Sequence, residues 1–324
     1  MAKSGAYRLS GAGLNGDRIR AMGPTMVLAA VVICAALTAP HTLSLRALAG
    51  FSIDAAPLLL LVFGSTLPIL LGGIDLSIAS TASLAGVLAS LLTPELGSWA
   101  VIVIVIGGAA IGALQGYLHA KLQMPSFVVS LGTLGILSGT ALFITNASAL
   151  PIDPGFFLID ILADRTAGVP NGFVLVLAIW LALILALRYL RFGRNVYAIG
   201  AAELPAFMSG VDRVQTRVVV YALSGACAAV AGLLLISQTL YSAPSLAQSL
   251  LLPAIVGVIV GGTAISGGVG GMASSMVGGL IAIAVRIGSV VLGFNPAVQN
   301  IIFGAVILVA VAATIDRQKI GIVK

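Results

Sequence analysis

The sequence predicts an all-α fold: a polytopic transmembrane helical bundle of about ten spans with both termini cytoplasmic. Composition gives the class. Hydrophobic residues make up 60% of the 324 residues and charged ones 8%, with a mean hydropathy of +1.17. A soluble domain cannot hide that much apolar surface, whereas a bilayer dissolves it. The apolar residues also gather in runs near the ~20 residues that cross the hydrocarbon. These runs place spans at 26–43, 54–71, 76–93, 99–118, 126–145, 172–190, 216–236, 250–262, 269–292 and 297–315.

Charge placement gives the orientation. With the N-terminus inside, Lys3, Arg8, Arg18, Arg20, Lys121, Arg188, Arg191, Arg194, Arg213, Arg217, Arg317, Lys319 and Lys324 are cytoplasmic. Arg46 and Arg165 are outside, and Arg286 lies within a span. This bias follows the positive-inside rule, and an odd span count would put the basic C-terminus on the wrong side. The net charge of +6 thus reports membrane topology and not nucleic-acid binding. The chain divides into a cytoplasmic tail 1–25, a transmembrane domain 26–315 and a cytoplasmic tail 316–324. The first span is a retained helix, since the polar and basic stretch before it is long for a signal peptide. Cys34 and Cys227 lack any CxxC or Cys/His context and are small core hydrophobes.

Between the second and third spans stands LGGIDLSIAS, residues 71–80. Asp75 there is either a buried functional acid or the water-facing end of two spans. The charge count favours the cytoplasmic end of a tight Gly72–Gly73 turn, where a carboxylate suits a helix N-terminus and can cap its amides. Ser77, Ser80, Thr81 and Ser83 then give the third span a narrow polar face that serves packing as readily as a pore. In the fourth span Gly108, Gly112 and Gly116 form overlapping GxxxG steps, and Gly257–Gly261 forms another; both point to close helix packing. The outer loop 146–171 lies outside, and its FFLIDIL core predicts a short amphipathic piece at the outer interface. The inner segment 191–215 predicts two short surface helices, with helical spacing at Val196, Ile199, Leu204, Phe207, Met208 and Val211 interrupted at Gly200 and Pro205. The pattern GGxx[LI]S recurs at Gly72–Ser77 and Gly261–Ser266. An inverted repeat would put the copies on opposite sides, but the topology puts both inside, so coincidence explains it.

No enzyme constellation is present. His41 and His119 are isolated at opposite span ends, and GxSxG, HExxH and paired intramembrane carboxylates are absent. No metal site is expected. The Gly-rich stretch 261–271 lacks GxxxxGK[ST] and a preceding strand, so it is no phosphate loop. Arg286 is the main intramembrane anomaly, at a cost of roughly 2.5–3.5 kcal/mol near the bilayer centre. It is a gate or pathway residue, or it snorkels outward or pairs with an outer-loop acid. Candidate pathway residues are Ser77, Gln115, Asn146, Gln238, Arg286 and Asn300, with Asn295 and Gln299 near the outer ends. For the end-located amides, capping or solvation is the simpler account.

Several stretches together resemble the ribose-type permeases, the membrane subunits of bacterial ABC importers for monosaccharides. They are Gly72, Gly73, Asp75 and Ser77; then Gly193, Arg194, Tyr197, Ala198 and Gly200; then Ser209, Gly210 and Val211; then Gly261, Gly262, Thr263, Ser266, Gly267, Gly268 and Gly270. They occur in order over about residues 26–315. The resemblance implies a helical fold like other type II ABC importers in the bacterial inner membrane. It implies two permease subunits in a homo- or heterodimer, a cytoplasmic ATPase pair that binds ATP and Mg, and a periplasmic sugar-binding protein. It leaves this chain without a cofactor of its own, among membrane lipid and without nucleic acid. It makes 193–211 the ATPase-coupling segment. Arg194 and Glu203 orient docking, Val196, Tyr197, Leu204 and Phe207 fill the ATPase groove, and Asn195, Gly200, Ser209 and Gly210 complete the segment. Where relatives often carry alanines and a polar residue, this chain has Leu204-Pro205-Ala206-Phe207, which implies a more apolar interface. Two other readings stay open: a branched-chain amino-acid permease, and an ion-coupled secondary transporter. The second calls for intramembrane acids, and none falls inside a span beyond its first residue by these boundaries, Asp54 being the first residue of the second span.

Overall fold

The computed structural model describes residues 23–30, 32–33, 37, 44–152, 157–291, 293 and 295–314. Most of the expected first span lies outside them, as do Cys34, His41 and the basic residues of both tails; residues 23–30 form helix α1. The chain continues through α2 (Leu45–Leu70), α3 (Ile78–Leu96), α4 (Trp99–Lys121), α5 (Ser126–Thr145), α6 (Phe157–Ala163) and α7 (Asn171–Tyr189). It ends with α8 (Arg191–Ala201), α9 (Glu203–Met208), α10 (Arg213–Thr239), α11 (Leu251–Val260), α12 (Met272–Val291) and α13 (Pro296–Thr314). Seven of these, α2, α3, α4, α5, α7, α10 and α12, are long and apolar enough to cross a membrane; α11 and α13 are shorter apolar helices.

Helix α2, α3 and α10 are buried over most of their length and form the centre, while α4, α5 and α7 show one apolar face outward. Ile106, Ile136 and Phe143 are among the large side chains left exposed there. Such a surface suits lipid or a partner subunit and not water. The glycine stripe of α4 lies against α10. A Cβ at Gly112 would fall on the Tyr221 carbonyl, and one at Gly108 would lie 2.6 Å from the Gly225 oxygen. Gly112→Val is therefore expected to destabilise the bundle by about 1–3 kcal/mol or more through overpacking. Thermal unfolding in detergent reads this; Gly107→Ala, with no atom within 4 Å, should leave the midpoint unchanged.

The structure departs from the sequence expectation in three places. Helix α2 starts at Leu45, nine residues early, because Ser44 caps it and accepts a bond from the Ala47 amide (3.3 Å). Arg46 and Asp54 thus belong to this helix, and an acid does lie within an apolar helix. The break in the inner segment falls at Ala202, in extended backbone, and not at Gly200 or Pro205. Gly200 is helical within α8, and Pro205 occupies the first turn of α9, where its missing N–H costs nothing. The outer loop contains α6 as expected, together with two short antiparallel pairs that the sequence did not reveal: β1 (Leu150–Pro151) with β4 (Tyr241–Ser242), and β2 (Arg165–Thr166) with β3 (Val169–Pro170). The first pair ties this loop to the end of α10.

The two GGxx[LI]S stretches end α2 and α11 with the same cap. Gly72 (φ 79°) and Gly262 (φ 94°) take the left-handed backbone that favours glycine. Their amides bond the Ile69 and Ile259 carbonyls, and the next amides, of Gly73 and Thr263, bond those of Pro68 and Val258. Both turns lie at the same end of the bundle, as the topology requires, and the Gly268 amide donates to the Leu70 carbonyl between them (2.9 Å).

Candidate functional site

At this end of the bundle α8 lies against both turns, with α9 following it. The tight point is Gly200, where a Cβ would fall on the Leu70 carbonyl and within 2.5 Å of the Gly268 nitrogen. Tyr197 fastens the same helix to the Gly-rich turn, its hydroxyl donating to the Gly270 carbonyl (3.0 Å). Burial raises the Tyr197 phenol above its ordinary pKa. Val196, Ile199 and Ala206 are buried in the bundle. Val196, at 0% exposure, cannot fill a groove on another protein, which corrects that expectation; the helical spacing was read correctly but the face was not. The outward face consists of Leu204, Phe207 and Met208, with Arg194 exposed and Asn195 half-buried. Gly210, in the left-handed region (φ 85°), ends α9, and Ser209 donates to the Pro205 carbonyl.

Glu203 is partly exposed and is paired within the chain. Its carboxylate pairs with Arg213 (3.2 Å) and Arg217 (2.7 Å) at the start of α10. These are the two ion pairs among the described residues. The guanidinium of Arg213 also stacks over the Phe207 ring at 4.2 Å. The spacing from 203 to 213 and 217 could have suggested this clamp, since the last two residues are one turn apart.

The polar candidates Ser77 and Gln115 meet Asp75 in a buried cluster. Asp75 is 4% exposed and therefore not the water-facing end of two spans. Its Oδ1 accepts from the Ser77 amide (2.9 Å) and hydroxyl (2.7 Å), and its Oδ2 from the Ser224 hydroxyl of α10 (3.2 Å). Gln115 of α4 donates to the Ser77 hydroxyl (2.8 Å). Burial pushes the Asp75 carboxyl above its ordinary pKa, and the bonds from Ser77 and Ser224 partly offset the rise. The Asp75–Ser77 bond is an Asx turn at the start of α3, so the capping expectation holds for the local geometry. What the sequence hid is that α4 and α10 close over it. Ser80, Thr81 and Ser83 are buried as well, with Ser83 accepting from the Ala247 amide. The polar face of α3 is a packing face.

The remaining pathway candidates do not come together. Asn146 is the exposed left-handed cap of α5, and Asn300 is exposed on α13. Asn295 accepts from the Ala297 amide and so caps α13, while Gln299 is buried. Gln238 of α10 donates to the Ile53 carbonyl (2.9 Å), pinning α2 beside Asp54. Arg286 is half-buried, in line with the buried Ala282 and Ser289 on α12, and Asp54 is the carboxylate whose charge acts on it. At ~1.5 Å per residue, Asp54 stands ~24 Å from Leu70 and Arg286 ~21 Å from Met272, the same depth from the turns. Asp54 is exposed on α2 and makes no ion pair with Arg286. No group of three His, Cys, Asp or Glu residues able to hold a metal occurs among the described residues.

The family model described as the branched-chain amino acid transport system permease component matches residues 47–311. A probable ABC transporter permease of Escherichia coli (strain K12) is 34% identical over 92% of this chain and 90% of its own length. The ribose import permease of Bacillus subtilis (strain 168) is 31% identical, covering 92% and 93%. The D-allose transport system permease of Escherichia coli (strain K12) is 30% identical, covering 91% and 91%. No solved structure matches the chain. With the family model spanning most of the chain and ribose and allose permeases aligned over nearly all of it, the chain belongs to the ABC import permeases of the ribose type, as a membrane transport component and not an enzyme.

Proposed function

We propose that this chain is the permease subunit of an ATP-driven importer in the bacterial inner membrane. Its cargo is a monosaccharide or related polyhydroxylated solute handed over by a periplasmic binding protein. The permease domain then crosses the membrane about ten times, with both termini, the two glycine turns and α8–α9 on the cytoplasmic side. Two permease subunits enclose the pathway, and the partner ATPase binds ATP and Mg. ATPase closure moves α8–α9 and rocks the bundle between outward- and inward-open states.

The observation that carries this reading is the two-faced coupling segment. Helix α8 packs against both glycine turns, and α9 presents Leu204 (67% exposed), Phe207 (49%) and Met208 (78%). An apolar face of that kind is what an ATPase groove would cover. Leu204→Asp together with Phe207→Asp is expected to abolish co-purification of the ATPase while the permease still reaches the membrane. Normal co-purification would rule out this face as the docking site.

Asp54 and Arg286, opposite charges at one depth, favour a second cargo, a zwitterionic branched-chain amino acid. Competition of labelled ribose uptake by leucine separates the two: the sugar reading expects no competition.

A further inference from the structure

Between the α4–α5 corner, α9 and the first turns of α10 lies a cavity of about 320 Å³, lined by His119, Gln123, Glu203, Arg213 and Arg217 among others. That volume is at the lower end of small-molecule sites, roughly 300–1,000 Å³. Two guanidinium groups face one carboxylate here, so the cavity carries surplus positive charge. Arg217 also holds a buried Nε–H that has no acceptor. His119 uses Nδ1 on the Met124 carbonyl (2.6 Å), which leaves Nε2 uncommitted by that bond. Glu203 binds each arginine through a single oxygen, so neither fork is saturated. A guanidinium fork matches phosphate oxygens, and unused donors in a partly enclosed recess favour an anion.

We propose that this cavity binds a small phosphate-bearing anion, held by Arg213 and Arg217 in competition with Glu203. The bound anion draws both arginines away from Glu203 and shifts Arg213, which stacks on Phe207 of the outward face. Occupancy is thereby linked to the position of α9. The regulatory consequence rests on α8–α9 being the ATPase-coupling segment, but the binding does not.

The phosphate has two sources, a free cytoplasmic ester or a lipid headgroup. The test uses the full chain in phosphatidylcholine nanodiscs, titrated with inorganic phosphate and with ribose 5-phosphate and followed by calorimetry. Saturable binding is expected, weakened about tenfold or more by Arg217→Gln and tightened about tenfold by Glu203→Gln, which removes the competing charge. If Arg217→Gln fails to fold, the more exposed Arg213→Gln takes its place. If neither soluble probe binds, native mass spectrometry in phosphatidylglycerol nanodiscs should show a retained lipid that the arginine variants lose, assigning the site to a headgroup. The proposal is overturned if neither source binds in an arginine-dependent way, or if Glu203→Gln weakens binding. Failure of the coupling assignment reads out separately, in ATPase co-purification by the Leu204 and Phe207 variants.

Discussion

Gly200→Ala is expected to cut transport more than about tenfold while the bundle stays folded. The added methyl would fall on the Leu70 carbonyl and crowd the Gly268 amide, and both are backbone atoms that cannot rotate away. Overpacking of this kind costs about 1–3 kcal/mol. It is relieved by lifting α8 off the two turns, since α8 sits at the end of the bundle and α2 at its centre. The penalty therefore falls on the joint between α8 and the two turns, which the proposed coupling would move, and less on global stability. Uptake in proteoliposomes together with far-ultraviolet circular dichroism checks this. Gly288→Ala, with no atom within 4 Å, is the control that should transport normally. Full uptake by Gly200→Ala would show that the joint is looser than the geometry states. The same geometry makes Gly200→Pro a poor probe of ATPase docking, because it would disrupt the permease first.

Asp75→Leu is expected to be among the most destabilising substitutions in the chain. It strands the Ser77 amide and the Ser77 and Ser224 hydroxyls inside the bundle, at about 1–3 kcal/mol for each group that finds no other partner. Asp75→Asn keeps one acceptor for Ser77 and offers Ser224 a donor, so it should be mild and reveal the charge. The folded carboxyl holds its proton to higher pH than the unfolded one, because burial penalises the anion. Between the unfolded and folded pKa values the folded state binds more protons, so wild-type stability falls as pH rises through that window and then levels off. Asp75→Asn lacks this loss. Its melting advantage over wild type should therefore grow from about pH 4 upward and become constant above the folded pKa. An advantage that shrinks with rising pH would mean that the hydrogen bonds outweigh burial.

The spans were legible because hydropathy and length act locally: the fifth expected span, 126–145, coincides with α5, and the two surface helices of 191–215 appear as α8 and α9. Capping was legible too, at the Gly72 turn and at Asp75. What could not be read were facts of assembly. Periodicity marked Val196 and Phe207 as one apolar set, but only packing decides that the first is buried and the second exposed. Glu203 looked like a surface acid until α9 folded back on α10. Asp75 looked solvated because nothing in LGGIDLSIAS says that Gln115 and Ser224 will close over it from helices far along the chain. The GGxx[LI]S recurrence was coincidental as a repeat, yet both copies end their helices with the same glycine cap at one end of the bundle.

A buried acid beside the α8 joint and opposite charges on α2 and α12 are also what an ion-coupled carrier would show, so the energy source is the decisive test. Cells expressing the full transporter would be assayed for uptake of labelled monosaccharides, first with ATP depleted and the proton gradient intact, then with the gradient collapsed and ATP restored. An importer whose ATPase acts through α8–α9 should stop in the first condition and continue in the second, and the Leu204 and Phe207 variants should be inactive in both. Uptake that survives ATP depletion and fails with the gradient would contradict the account.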